Sequence, residues 1–556
     1  MGFLGILEDT KLAHVPATVI LDDVHHTGNA NSNTSSLKHG TGRHSHVILV
    51  PQPSEDPNDP LNWPTHKKTV IMMLASLGGC IFASTFGPLL NAGLFVVAQE
   101  LDRTLTDITV TSGYTLLVAG SSGAFVSAFS QKWGKRPVLL ASALFGFIGS
   151  IMGSTVTSYH TLLAARIVQG FATAAYESLI ISMIGDLYFV HQRGVYVALT
   201  SLILGGVSNF SSVICGVITK NLGWKYLFHF CTMASGLHLI LSFFFWPETQ
   251  YRRDHRYDID ELIDDNLDEL VGVEKRHQAE LEDIEKTTTT VSSSSAFHIP
   301  PKKTFMQELA IFSGIYSSQN LLKLIAAPFL VNTNLAVLFV VVITGSLTAL
   351  YVAMSFVIAQ IFSAPPYLLT PFGVGNLFIG PFIGGLVAVV FVAATYDGFI
   401  KWCSRKNNGV YEPEYRLLLN WFGIVAAAGL VGFGVLCQNS ASYYATATMH
   451  AIVLFGIVAS STALNSYALD AFRDMSNEIF VAGIIYKNFL FYGFSYFVNN
   501  WTATAGPKVV FGTFGGVAAA LVLTTPIFFH WGKRYRSHWA RHNILKKLSI
   551  ETHASL

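Results

Sequence analysis

Three ionisable side chains, Arg166, Glu177 and Lys487, stand inside stretches of chain that are otherwise almost free of charge. A carboxylate in an apolar setting holds its proton tightly. It releases the proton when wetted or when a cation arrives. That is the chemistry of proton-coupled exchange, and it suits a cationic ligand that competes with the proton for one site. Arg166 and Glu177 are eleven residues apart and share a helix face, about 16 Å apart along the axis. They are too distant to pair directly. Lys487 is available as a structural partner of Glu177 or as a donor to carbonyls, and spacing leaves both roles open.

Polar residues at helical spacing extend this pattern. Arg166, Gly170, Thr173 and Glu177 share one face, as do Thr344, Thr348, Tyr351 and Ser355. Asn488, Tyr492, Ser495 and Asn499 repeat the spacing, and Ser84, Pro88 and Asn91 share a face as well. Facing lipid, such stripes would leave polar groups unpaired; facing a water-filled cavity, they would not. Asn91, Tyr351, Ser355, Asn465, Asn488, Tyr492 and Asn499 are therefore candidates, with Glu177, for binding substrate or proton. Tyr351, Tyr492 and Trp501 add aromatic faces for a cation. The alternative is packing, because Ser and Thr bond back to their own helix and small residues let helices approach. Ser201, Gly205, Ser208 and Ser212 read that way. So do His229 and His238; His450 is a third histidine inside an apolar stretch.

The elements that must hold these residues are membrane helices. No Asp, Glu, Lys or Arg occurs from Leu324 to Tyr396, or from Leu417 to Leu469. The 556 residues are 51% hydrophobic and 12% charged, against about 25% charged in soluble proteins. With about 20 apolar residues per crossing, twelve spans are expected. The first six are near 69–90, 109–130, 137–156, 161–185, 197–218 and 226–246. The second six are near 335–360, 372–396, 416–436, 443–468, 479–500 and 508–530. This divides the chain into an N-terminal segment (1–68), a six-helix bundle (69–247), an acidic and Ser/Thr-rich linker (248–333), a second bundle (334–531) and a basic tail (532–556). The linker reads as a spacer, part of it a solvated acidic helix. A net charge of +1 gives no reason to expect nucleic acid. Five scattered cysteines make no disulfide framework or metal site, and no cofactor is implied. No cleavable signal peptide is visible, and no nucleophile–base or phosphate-loop motif points to an enzyme.

Short echoes relate the two sets of six. Ser130–Pro137 is a basic turn after the second span, and Lys401–Lys406 is another after the eighth. The former resembles the Gly-x-Leu-x-Asp-Arg-x-Gly-Arg-Arg loop of the major facilitator superfamily. Arg166-Ile167-Val168-Gln169-Gly170 resembles that family's Arg-x-x-Gln-Gly motif. Leu7-Glu8-Asp9, His14-Val15-Pro16, Asp56–Trp63 and Tyr411–Leu417 are similar to signatures of its fungal twelve-span drug:proton antiporter branch. Asn209–Gly216, Gly223–Tyr226 and Asp470–Lys487 look closest to fungal carriers of organic cations such as histidinol and polyamines.

The resemblance implies an all-α fold of two pseudo-symmetric six-helix bundles, with spans one, four, seven and ten at a central cavity and eleven beside it. It implies coupling or gating roles for Arg166, Lys132 and Arg136; Lys487 inside a span, and Asp470 and Arg473 at cytosolic helix ends, are candidates for the same roles, with an ordinary solvated cap the alternative for the last two. It implies a small-molecule substrate, protons and the lipid bilayer as partners, in the plasma membrane of a fungal cell. Two departures count against simple transfer. Gln131 replaces the loop Asp, which weakens the charge pairing expected to latch the halves, and Ser211-Ser212 replaces Gly-Pro in span five. Multidrug:proton export, or a receptor that kept the carrier fold, are the alternatives to cation transport.

Lys and Arg set the orientation. Four of the 35 basic residues (Arg103, Lys220, Lys225 and Lys508) fall outside and two within spans; with cytosolic termini, the remaining 29 are cytosolic. The Asn33-Thr34-Ser35 sequon then faces the cytosol. Endoglycosidase treatment is expected to leave the mobility of the full chain unchanged.

Overall fold

An apolar run in lipid has no water to satisfy its backbone, so it closes its hydrogen bonds internally as a helix. The computed structural model describes residues 3–7, 15, 17–20, 53–54, 56–189, 196, 199–200, 203–251, 301–407, 410–472 and 475–548. The first set of helices is α1 (Thr65–Thr85), α2 (Leu105–Trp133), α3 (Lys135–Ser154), α4 (Tyr159–Leu187), α5 (Ser208–Asn221) and α6 (Lys225–Phe245). The second is α7 (Leu335–Phe362), α8 (Ile379–Lys406), α9 (Phe422–Gln438), α10 (Tyr443–Ala471), α11 (Ser476–Ala505) and α12 (Pro507–Val522), followed by α13 (Thr525–Arg541). Starts are capped by side chains that accept orphan N–H groups. Thr104 and Asp107 form a capping box on α2, and Asn334 accepts from Ala336 and Val337 on α7.

Among the described residues, ten helices are long and apolar enough to cross a bilayer. The two expected spans outside that set are α2 and α5. Helix α2 has the length, 29 residues, but carries Thr109, Thr111, Ser112, Thr115, Ser122, Ser127 and Ser130 on buried positions. Helix α5 is a 14-residue piece that continues a wider turn over Ile203–Val207. The polar residues of α2 face neighbouring helices, which is why its composition is more polar, whereas α5 keeps Phe210, Ile214 and Val217 exposed. The acidic run 254–285, the Ser/Thr tract, the sequon at Asn33, and Arg473 with Asp474 lie outside the described residues.

Close helix approach rests on glycine, since lipid offers no hydrophobic drive between helices. A Cβ on Gly384 of α8 would overlap the Ala451 carbonyl of α10, and one on Gly456 of α10 would come within 2.5 Å of the Ala426 nitrogen of α9. On the other side, Gly149 of α3 meets the Gln169 backbone of α4 at 2.9 Å.

The expected basic tail begins as helix α13, which turns back onto the α8–α9 connection. Arg536 is buried and donates to Glu412 at 2.7 Å and to both oxygens of Glu414 at 2.9 Å. The same place receives the start of the chain. Val19–Ile20 (β1) pairs antiparallel with Val410–Tyr411 (β2), Thr18 donates to Glu412 at 2.9 Å, and the Leu7 N–H donates to the His530 carbonyl at 3.0 Å. Leu7 and the Tyr411–Leu417 signature thus meet at one junction, which defines the terminal end of the molecule; residues 8–14 and 16 of the first signature lie outside the described residues.

Gly384→Val is expected to lower the thermal unfolding midpoint in detergent, by a cost of about 1–3 kcal/mol for overpacking. Gly398→Val on the same helix, with nothing within 4 Å of its Cβ position, should leave the midpoint unchanged.

Candidate functional site

The two sets of helices meet along a seam between α2 and α11. Its geometry follows from two glycines. A Cβ on Gly120 would sit 2.9 Å from the Asn488 Cβ, and one on Gly113 would sit 2.8 Å from the Ser495 Cβ. With the backbones this close, polar side chains bridge the seam. Asn499 donates to Thr109 at 2.8 Å, and Asn477 donates to Ser127 at 3.3 Å. The hydroxyls of Tyr114, Tyr496 and Tyr492 form a chain of 3.0 and 2.8 Å contacts. The α11 stripe of Asn488, Tyr492, Ser495 and Asn499 therefore faces α2. Periodicity along α11 shows one polar face; it does not show that Gly113 and Gly120 bring a helix against it.

Gln131 lies in this seam. It donates to the buried Glu478 at 3.3 Å. The expected weakening of the latch by loss of the loop Asp takes a different form: an acid in the first turn of α11 accepts from the amide across the seam. An Asp at position 131 would face Glu478 with like charge. Glu478 escaped the sequence reading because it stands just outside the span expected from residue 479.

At mid-length of α4, Glu177 forms an ion pair with Lys487 of α11, across the two halves. Asn488 donates to the second carboxylate oxygen at 3.3 Å, and the Lys487 ammonium lies 5.9 Å from the Phe491 ring centre. The side chains of Lys487 and Glu177 keep 22% and 13% of their exposure, so the pair is not sealed in a core. Removing one partner of a buried pair costs about 3–5 kcal/mol, because the other charge is left uncompensated.

Arg166 is fully buried and does not touch Glu177, as their spacing requires. Its guanidinium donates to Gln169 at 2.9 Å, to the Gly87 carbonyl at 3.1 Å and to Ser112 at 3.3 Å. The Arg-x-x-Gln-Gly motif thereby gains a physical content. Gln169 accepts from Arg166, and Gly170 lets α4 approach the Thr115 carbonyl of α2, 2.5 Å from its Cβ position.

Other candidates distribute around this pair. Tyr351 of α7 donates its hydroxyl to Asn209 of α5, again across the halves, and Asn209 donates to the Gly205 carbonyl at 2.7 Å. Ser355 bonds back to the Tyr351 carbonyl at 3.2 Å; Thr344 and Thr348 bond back to their own helix at 2.7 Å. His450 is buried among the rings of Tyr351, Phe378 and Phe433. Asn465 is half-buried on α10. Asn91 is buried in the turn Asn91–Gly93, where the Gly93 Cβ position is 2.8 Å from Thr219 of α5. Nearby, the Gly216 Cβ position is 2.6 Å from the Pro371 carbonyl. These contacts close the end of the molecule opposite the termini.

The remaining charges fasten helix ends inside each half. Arg136 donates to the terminal carbonyls of α6, including Phe243 at 2.7 Å and Trp246, where the helix dipole is negative. Glu248 accepts from the Lys135 and Arg136 N–H groups, each at 3.0 Å. Burial pushes the Glu248 carboxyl above its ordinary range against these donors. Lys135 pairs with Asp186. Lys132 reaches the Gln319 carbonyl at 3.1 Å. Asp470 binds Arg416 at 2.5 Å and Tyr411, all in the second half, so in this conformation it makes no bond across the two halves with these groups. Its expected companion Arg473 is outside the described residues.

Two membrane-helix halves joined by a polar seam, with the Glu177–Lys487 ion pair held between them, define a carrier fold. The sequence model of the Major Facilitator Superfamily matches residues 70–480, and the chain belongs to that family. An uncharacterised MFS-type transporter of Schizosaccharomyces pombe is 24% identical, over 89% of each chain. Protein HOL1 of Saccharomyces cerevisiae is 22% identical, over 91% of this chain and 93% of its own. A partially occluded, inward-open structure of the E. coli xylose transporter XylE shares the fold, with a TM-score of 0.54 at 12% identity, covering 83% of this chain and 99% of that one.

Gln131→Asp is expected to destabilise the purified protein by about 1.5–3 kcal/mol, the net worth of a hydrogen bond to a charged group. Adding Glu478→Gln should recover most of that loss in a double-mutant cycle of unfolding midpoints.

Proposed function

We propose that this secondary transporter moves small organic cations by proton-coupled alternating access, with Glu177 as the carboxylate shared by proton and substrate. The observation that carries this reading is the Glu177–Lys487 pair spanning the two halves with both side chains partly open. Protonation of Glu177, or arrival of a substrate cation, replaces the bond to Lys487. Because the pair joins α4 to α11, occupancy of Glu177 alters the relative energy of the arrangements in which those helices are close or apart. A ligand with such differential affinity shifts the equilibrium between them.

Asn488 orients the carboxylate. Asn91, Tyr351, Ser355, Asn465, Tyr492 and Asn499 are proposed to contribute polar or aromatic surface along the path as the halves separate. Arg166, which ties α4 to α2 and to the turn after α1, carries the movement of α4 into the first half. Lys132, Arg136, Asp470 and Arg473 act at the terminal end, where gating in the cytosol is proposed. Positive residues concentrate in the segments at that end, which supports cytosolic termini; insertion in the plasma membrane is proposed from the resemblance to fungal carriers alone. The contact of Gly216 with Pro371 then joins the halves at the outer face, while Gln131–Glu478 and Asn477–Ser127 join them at the cytosolic end.

The test uses proteoliposomes with an imposed pH gradient and a panel of labelled organic amines. The intact protein should accumulate at least one amine in a gradient-dependent manner. Glu177→Gln should reduce that component by tenfold or more, about 1.4 kcal/mol of lost coupling, while Glu177→Asp retains part of it. Undiminished gradient-driven uptake by Glu177→Gln would remove Glu177 from the mechanism.

A further inference from the structure

We infer that Lys487 is the resident occupant of the cation site on Glu177, a tethered alkylammonium that a substrate's own primary ammonium must displace. The inference rests on the reading of Glu177 as the substrate carboxylate, and it narrows the substrate class to protonated primary alkylamines.

The surroundings of the Lys487 head group describe what the site accepts. One carboxylate oxygen of Glu177 takes an N–H from the ammonium, and Asn488 holds the other oxygen at 3.3 Å. The Asn488 carbonyl oxygen is buried and has no hydrogen-bond partner among the described residues. It is an acceptor next to the carboxylate, available to a second N–H. The Phe491 ring offers its face at 5.9 Å, within the range of cation–π attraction. Two oxygen acceptors and one aromatic face suit a compact group with several N–H donors. They suit a quaternary ammonium poorly, since it has no N–H to give.

Lysine is the side chain whose end has this chemistry. Its ammonium is a compact point charge with three donors on a flexible stem. The stem of Lys487 is anchored in α11, and the head keeps 22% exposure, so the group can leave the carboxylate without unpacking a core. While it stays, it competes with any free amine. A tethered group on a short flexible linker acts at an effective concentration of about millimolar or above. The free amine binds more weakly by the corresponding factor. The competition also sets the consequence of binding: an incoming ammonium takes the place of the bond between α4 and α11 rather than adding to it, so the halves are released only when the site is filled.

The experiment titrates n-butylammonium against the purified full chain in detergent at a single pH, reading the unfolding midpoint, with tetramethylammonium as the control. Lys487→Met removes the competing charge and keeps the length of the stem. The half-saturating concentration of n-butylammonium should fall about tenfold or more, and tetramethylammonium should show no comparable gain. Lys487→Arg keeps the charge but grips the carboxylate through two parallel N–H bonds, so it should raise the half-saturating concentration several-fold. An unchanged or weaker response of Lys487→Met to n-butylammonium, or an equal gain for tetramethylammonium, overturns the proposal. If Lys487→Met does not fold, an unchanged response of Lys487→Arg overturns it alone. The two readings separate cleanly. Full gradient-driven uptake by Glu177→Gln sinks the role of Glu177 in coupling, whereas lost uptake there with Lys487 variants of unaltered amine affinity sinks only the resident ammonium.

Discussion

A charge inside a bilayer must be matched, neutralised or wetted, and the arrangement of this molecule follows from how each buried charge meets that demand. Glu177 is matched by an ammonium from the opposite half. Arg166 is matched by neutral oxygens of its own half, from Gln169, Gly87 and Ser112. The difference in partners separates the two roles. A guanidinium held by fixed dipoles within one body moves with that body. A carboxylate held by a charge on the other body is bonded only in those arrangements that bring the bodies together.

The same division runs through the rest of the polar contacts. Within each half, ion pairs fasten helix ends: Lys135 with Asp186 in the first, Arg416 with Asp470 and Arg536 with Glu412 and Glu414 in the second. Across the halves, amides and hydroxyls prevail, as in Asn499 with Thr109 and Gln131 with Glu478. The neutral bond between Asn499 and Thr109 has a net worth of about 0.5–1.5 kcal/mol, and that from Gln131 to the Glu478 carboxylate about 1.5–3 kcal/mol. Stiff bodies joined by a soft seam are the condition for rigid-body rocking. Among the described residues, Glu177–Lys487 is the ion pair that crosses the seam, and it lies where occupancy can change its energy.

The helices were legible because a bilayer imposes length and apolarity on each one locally. Ten meet both conditions; α2 falls short because it turns polar residues onto the seam, and α5 because its helix is only 14 residues long. The separation of Arg166 from Glu177 was legible too, since a helix fixes it. Pairings over long chain distances were not. Lys487 is 310 residues from Glu177, and no local pattern distinguishes it from a lysine bonded to carbonyls. Asp470 looked like a gate because of its place at a helix end; its partner Arg416 comes from a loop whose fold depends on Arg536 and the start of the chain. Asn209 had no signal of its own beyond a resemblance, because its importance comes from Tyr351 on another bundle.

The junction at the terminal end bears on how the protein is made. Leu7, Thr18 and Val19–Ile20 precede every membrane helix, yet their partners Val410–Tyr411 and Glu412 follow the eighth and His530 follows the twelfth. The pairing of β1 must wait for eight helices to be made, and the contact of Leu7 for all twelve. A chain interrupted before α13 has no His530 to receive Leu7 and no Arg536 to hold Glu414. The Leu7 contact therefore forms only after all twelve membrane helices have been made, four helices later than the pairing of β1 with β2 becomes possible.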